Sequence, residues 1–329
     1  MSLKIIKPGL LDTIQDNGRY GFQHVGINPS GVMDSFSSAL ANALLGNDLP
    51  APVLEIHFPA SEILFESSAL ICITGADLSP VVNQKSIPVN QPVLVNKGVV
   101  LKFEKIYSGA RCYLAILQGY KLEKWMGSYS TNLKAAAGGW KGRKLLKGDS
   151  LFFNYEYNFS FLLGDKDFLA MKWRAEGFNK KKENVIRFIK GNEWSWLEDR
   201  MGQSLKKNFL ITTDSDRMAY RLKGEAVKVA TGELISSAVT YGTMQLLPDG
   251  QMIILMADHQ TTGGYPRIGH IISADLPVLA QLLPGESISF TFSDLLTAEK
   301  ELKEQATYLN HLQTACRFKT DNLYATLRS

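Results

Sequence analysis

Asp258-His259-Gln260-Thr261-Thr262-Gly263-Gly264-Tyr265-Pro266-Arg267 gathers a carboxylate, an imidazole, an amide and two hydroxyls into one short run. Asp258 offers an orienting or proton-handling carboxylate, with Gln260 and Tyr265 beside it as further polar candidates. Thr261, Thr262, Gly263 and Gly264 read as a cradle of hydroxyls and backbone N–H groups. A glycine pair permits positive φ and lets N–H groups approach a ligand without a Cβ in the way. Just upstream, Met252-Ile253-Ile254-Leu255-Met256-Ala257 is apolar throughout, the pattern of a strand buried on both faces. The polar run therefore lies at the mouth of a buried strand. A turn whose polar groups only satisfy one another would have the same composition.

Three other clusters carry chemistry-bearing residues. The first runs from Asp12 to His24 and on through Pro29-Ser30-Gly31-Val32-Met33-Asp34, with glycines at 18, 21, 26 and 31. It enters a helix expected over Met33–Leu45, whose start Ser30 or Asp34 would cap. A helix N-terminus also favours anions. The second is Thr212 to Met218, where Asp214 or Asp216 could orient Arg217 as a two-pronged anion clamp. The third pairs a hydroxyl-rich loop containing Ser130 and Thr131 with a basic loop containing Arg143. Phosphate binding and simple solvation both explain that pair.

Standard catalytic signatures fail. No Gly-Lys dipeptide occurs, which excludes a Walker A loop, and no Gly-x-Ser-x-Gly elbow is present. The histidines at 24, 57, 259, 270 and 311 never form the i, i+4 pair of a helical zinc site, and no metal centre is expected. Ala170-Met171-Lys172-Trp173 echoes a biotin-attachment tetrapeptide but lacks the surrounding carrier domain.

These candidates need a scaffold of short strands. Val53–Phe58, Ser68–Ile73, Pro92–Val95, Val99–Phe103 and Arg111–Leu117 are β-branched or aromatic runs of strand length. Gly98, Gly148 and Gly285 each open a turn, followed by apolar residues at a period of two. A second half begins near residue 184, with strands at Val185–Ile189 and Phe209–Thr213 and a helix expected over Glu193–Leu205. The basic stretch Arg174–Asn184 reads as a linker. Residues 294–317 read as a helical tail with Leu295, Leu302 and Leu309 at heptad spacing.

The 329 residues suggest two domains and have ordinary globular composition, with 45% hydrophobic and 21% charged residues. No apolar run approaches the roughly 18 residues of a membrane span, and the N-terminus lacks a signal-peptide core. Three scattered cysteines form no disulfide framework, so a cytoplasmic location is expected. The net charge of +4 hides two basic segments, 121–150 and 171–190, each with seven basic and two acidic residues. Neither interleaves aromatics as nucleic-acid modules do. No nucleic-acid or membrane partner is expected.

The phrases Thr13-Ile14-Gln15-Asp16, Gly18-Arg19, Gln23-His24, Pro29-Ser30-Gly31, Met33-Asp34 and Leu54-Glu55 recur in order in a known family. So do Thr74-Gly75-Ala76-Asp77, Gly127-Ser128, Ser130-Thr131, Ser215-Asp216-Arg217-Met218, Gln260-Thr261-Thr262-Gly263-Gly264-Tyr265-Pro266 and Ile272 to Pro277. The chain resembles the family of 5-oxoprolinase C subunits. This is also called the allophanate hydrolase subunit 2 or kinase-inhibitor-antagonist family, and is related to the carboxyltransferase domain of urea amidolyase. The resemblance implies a mainly β protein of two cyclophilin-like β-barrel domains with a cleft between them, a few short helices and a C-terminal helix. The expected boundaries are 1–175, 184–293 and a tail at 294–329.

The implied activity is that of one component of an ATP-dependent 5-oxoprolinase, with magnesium and with the A and B subunits as partners. It activates the lactam of 5-oxoproline by phosphorylation on the way to glutamate. Asp258, Gln260, Tyr265 and Arg217 would be catalytic. Arg217 and Arg143 would clamp anions, with Ser130, Thr131 and Thr261 to Gly264 binding substrate or nucleotide. His24, Ser30, Met33 and Asp34 would form the opposite wall. One alternative is a carboxyltransferase using biotin on a partner protein and a urea-like acceptor. Another is a non-catalytic regulator that binds a kinase-inhibitor homologue. The chain has Tyr129 and His259 where the family usually or often has arginine.

Overall fold

The structure is a computed structural model and describes residues 1–157, 159–176, 184–197, 205–227 and 234–328. It is mainly β, as expected. The described helices are Ser35–Leu45, Ser160–Leu163, Leu276–Ala280 and Leu295–Arg328, with 3-10 turns at Gln23–Val25 and Trp194–Trp196.

The chain forms two compact units whose boundaries differ from the expected sequential division. Unit 1 comprises Met1–Gly18, Asp34–Phe178 and Ala306–Ser329, and unit 2 comprises Arg19–Met33 and Asn179–Gln305. The loop at Arg19–Met33 joins the later unit because Met33 is fully buried in its core and accepts the Tyr241 hydroxyl on its backbone carbonyl. The tail is no separate body. Its later part joins unit 1, where Leu309, Cys316 and Thr320 are buried. Most of the expected linker, residues 177–183, and residues 198–204 of the expected helix lie outside the described residues. The described start of that helix is the 3-10 turn at Trp194–Trp196.

In unit 1, two six-stranded antiparallel sheets enclose one core that includes Leu3, Ile14, Ile56, Phe65, Ile71 and Leu114. One sheet runs Ser150–Phe152, Ser2–Lys7, Glu62–Phe65, Val100–Phe103, Pro80–Val82, Lys85–Ser86. The other runs Phe168–Ala170, Val93–Val95, Ala69–Asp77, Ser108–Ile116, Val53–His57, Thr13–Gln15. The helix Ser35–Leu45 is capped by Asp34, whose Oδ1 accepts from the Ser37 N–H at 2.8 Å, and stops at left-handed Gly46. Ser30 lies outside it.

Unit 2 is a closed seven-stranded barrel. Its order is Val185–Lys190, Arg267–Ile271, Thr243–Leu246, Met252–Leu255, Ala219–Lys223, Phe209–Ile211 and Ser287–Phe292, the last closing on the first in parallel. Met252–Leu255 is buried on both faces: Met252 and Ile254 enter the barrel core, while Ile253 and Leu255 pack with Val239 outside it. Gly98, Gly148 and Gly285 all take positive φ, and the residues that alternate after them put Leu101, Leu151, Ile288 and Phe290 in the cores.

Candidate functional site

Unit 2 assembles its polar groups where the buried strand Met252–Leu255 and the turn before Ala219–Lys223 end side by side. Arg217, 5% exposed, donates from Nε to Asp258 Oδ2 at 2.8 Å and from Nη2 to Asp258 Oδ1 at 3.2 Å. Its Nη2 also donates to the Gly31 carbonyl at 2.6 Å, and the Asp258 N–H bonds back to the Arg217 carbonyl at 2.8 Å. The fork therefore ties three chain segments together. Asp216, an expected partner, instead spends Oδ1 on the N–H groups of Met218 and Ala219 and so shapes the turn. Arg217 is held by Asp258, 41 positions away in the sequence.

Several other sequence candidates also belong to unit 2. Ser30 sits at φ 55° with its Oγ buried and without a hydrogen-bond partner. Met33 accepts the Tyr241 hydroxyl at 2.6 Å on its carbonyl. His24 lies on the exposed 3-10 turn Gln23–Val25. His259 is 2% exposed, with Nδ1 2.6 Å from the Gln260 carbonyl. A carbonyl only accepts, so Nδ1 carries the hydrogen and Nε2 the lone pair. Burial pushes the His259 imidazole below its ordinary value, so it stands neutral. His270 is likewise lowered, by burial first and by nearby His259 second.

Gln260 and Thr261 are half-buried, and Thr262, Gly264 and Tyr265 are exposed. Thr262–Gly263 pairs with Ser237–Ala238 in a two-stranded ribbon. Neither Gly263 nor Gly264 is among the positive-φ glycines. Gly263 packs close to Gln245: a Cβ there would lie 2.6 Å from Gln245 Nε2, the end of that side chain.

The other candidates fall in unit 1, and their polar atoms are engaged there. The Ser130 hydroxyl donates to Asp16 Oδ1 at 2.6 Å, and the Thr131 hydroxyl donates to the Ile14 carbonyl at 2.9 Å. Asp16 also accepts from the Ser128 hydroxyl and the N–H groups of Gly18 and Tyr129. This clasp makes the hydroxyl-rich loop structural. Arg143 forms a two-pronged ion pair with Asp149 at 2.6 and 2.9 Å, which holds that carboxyl down at about 2. Asp34 is the helix cap, and its N–H donates to Tyr113, whose hydroxyl donates to buried Glu55. Gln245, Ser237 and Tyr241 are polar residues of unit 2 that sequence reasoning missed. The amide of Gln245 between Met244 and Leu246 was the available signal.

The chain matches the family model described as the carboxyltransferase domain, subdomain A and B, over residues 25–292. It is 36% identical over 324 residues to the 5-oxoprolinase C subunit of Escherichia coli, covering 97% of this chain and 100% of that protein. Identity to the Haemophilus influenzae 5-oxoprolinase C subunit is 33% over 303 residues, 92% of this chain and 94% of that one. The solved urea amidolyase of K. lactis superposes with a TM-score of 0.85 at 26% identity, over 94% of this chain but 20% of that one. No helix among the described residues is long and apolar enough to cross a membrane. With the family match extending across both units and the solved relative following the same fold, the chain belongs to the carboxyltransferase domain, subdomain A and B, family.

Proposed function

We propose that this chain is the C subunit of a cytoplasmic, ATP-dependent 5-oxoprolinase, working with the A and B subunits to convert 5-oxoproline to glutamate. The observation that carries this reading is its 36% identity to the Escherichia coli C subunit, end to end in that protein. The chemistry needs several components. A lactam carbonyl is a poor electrophile, and phosphorylating its oxygen creates a leaving group. Phosphoryl transfer is catalysed chiefly by positioning and charge neutralisation.

Four of the residues expected to clamp anions or bind substrate or nucleotide, Arg143, Arg217, Ser130 and Thr131, do not suit a nucleotide pocket in this chain. Arg143 is neutralised by Asp149 and Arg217 by Asp258, while Ser130 and Thr131 donate their hydroxyl hydrogens inward. Among the described residues no three His, Cys, Asp or Glu side chains converge as a metal site. In this reading a partner protein supplies the nucleotide pocket, and unit 2 of this chain holds the lactam.

A second reading is supported by the TM-score of 0.85 with the K. lactis urea amidolyase. It makes the chain a carboxyltransferase that uses biotin on a partner and a urea-like acceptor. The two readings separate in one comparison. The purified complex is supplied either with 5-oxoproline and ATP or with carboxybiotin and urea. The first reading expects glutamate from the former and no carboxybiotin consumption from the latter. The reverse result would establish the second.

A further inference from the structure

Gln245 lies on the strand Thr243–Leu246, where Met244 and Leu246 enter the barrel core. Alternation turns the Gln245 side chain the other way, toward the ribbon formed by Ser237–Ala238 and Thr262–Gly263. It is fully buried there, yet its Oε1 has no hydrogen-bond partner. Its Nε2 makes a single long contact, 3.4 Å to the Tyr265 carbonyl, leaving one N–H to spare. A second orphan lies on the ribbon itself: the Ser237 hydroxyl oxygen is buried without a partner, on the residue that pairs with Gly263. Buried polar atoms are nearly always paired, so two unpaired oxygens flanking one glycine require a missing partner.

Gly263 packs directly against the carboxamide. The ideal Cβ position on Gly263 is 2.6 Å from Gln245 Nε2 and 3.3 Å from Val239 Cγ1, so a side chain there would collide with the carboxamide. The ribbon above has two residues per strand, with Ala238, Thr262 and Gly264 exposed. A two-stranded ribbon of this size is marginal by itself. Moving the ribbon aside would uncover the carboxamide.

We propose that the Gln245 carboxamide is a recognition group for a cis-amide ligand, reached beneath the Ser237–Ala238/Thr262–Gly263 ribbon. A carboxamide presents an acceptor and a donor side by side. A ring-closed amide is locked cis and presents its N–H and C=O along one edge, so the two groups pair through two antiparallel hydrogen bonds. The ligand N–H donates to Oε1, and Nε2 donates to the ligand carbonyl. Urea offers the same edge. An open-chain secondary amide is trans, presents the two groups on opposite edges and cannot make both bonds. The Ser237 hydroxyl is placed to bond a second polar group of the ligand. The inference rests on the lactam reading above and assigns its substrate-recognition residue.

The test uses the full chain and three probes in calorimetric titrations: 5-oxoproline, its N-methyl derivative and N-acetylglycine. We expect 5-oxoproline to bind and the two controls to bind about 100-fold more weakly, because the N-methyl lactam has no N–H for Oε1 and the trans amide can pair only one of the two carboxamide groups at a time. Gln245→Met is expected to lose that discrimination. Equal binding of the parent and N-methyl lactams, as when the orphan oxygens hold only water, overturns the proposal. So does a folded Gln245→Met that binds like the wild type, or a wild-type chain that binds no lactam. The N-methyl comparison needs no substitution and decides the matter if the variant does not fold. Glutamate production with an unchanged KM for 5-oxoproline in Gln245→Met would defeat this inference and leave the assignment to the 5-oxoprolinase complex standing. Gln245-dependent lactam binding, with no glutamate from the complete complex, would do the opposite.

Discussion

Arg217 and Asp258 carry opposite charges at 5% and 14% side-chain exposure, so removing Arg217 strands a largely buried carboxylate. Arg217→Ala leaves the Asp258 carboxylate and the Gly31 carbonyl unpaired together. Losing one partner of a buried pair costs about 3–5 kcal/mol. The denaturant midpoint should fall accordingly, and a loss under about 1 kcal/mol would contradict the pairing. Arg217→Lys should recover only part, because an ammonium cannot reproduce the fork to Asp258 and Gly31. Asp12 makes a second residue-scale prediction. Burial raises its carboxyl from 3.8 to about 6, against the lowering effect of bonds from His57 and Ser61. Between those values the folded state binds the proton more tightly than the unfolded state. Stability should therefore fall as pH rises from about 4 to about 6 and stay lower above, by up to roughly 3 kcal/mol. Urea midpoints across that range should show the slope in the wild type, and Asp12→Asn should lack it. At this scale, residue types were legible in the sequence but their partners were not. Arg217 and Asp258 are 41 positions apart, while Asp214 and Asp216 were its near neighbours. Ser130 and Arg143 likewise look like ligand groups until Asp16 and Asp149 are seen to hold them.

The C-terminal helix shows what periodicity conveys about an element and what it omits. Heptad spacing of Leu295, Leu302 and Leu309 predicted one apolar seam, and a helix is present over Leu295–Arg328. Yet Leu295 and Leu302 are 61% and 46% exposed, and only Leu309 is buried. Within unit 1 the helix adds polar contacts at the end of the helix Ser35–Leu45 to the stacking of Tyr308 on Phe36. Arg317 Nε donates to the Gly46 carbonyl at 3.0 Å, and Gln313 Nε2 donates to the Asn47 carbonyl at 2.6 Å. Gly46 permits this approach, at φ 71° and with a notional Cβ 2.7 Å from Arg317 Cα. Gly46→Ala should lower stability by about 1–3 kcal/mol. It should also speed amide exchange across 306–320, and unchanged exchange there would contradict the docking. The strands were easier to read, since turn glycines and period-two runs are local signals. The ribbon over Gln245 was not, because two-residue strands carry no periodicity.

For the whole molecule, length and composition pointed to two bodies, but not to chain segments that leave one unit and return. Arg19–Met33 and the residues from Ala306 onward depart from sequential order because their burial partners are remote in sequence. The charge asymmetry also resolves at this scale. In residues 121–150 all six lysines are exposed and Arg143 is paired, as a solvated face would be. The proposed role of this chain as an essential component of a lactam-opening enzyme can be tested by reconstitution. The chain is co-purified with its candidate A and B subunits, and glutamate formed from 5-oxoproline and ATP is measured with each component omitted in turn. ATP-dependent glutamate that disappears when this chain is left out is the predicted result. Undiminished glutamate without it, or none from the verified complete complex, would contradict the claim.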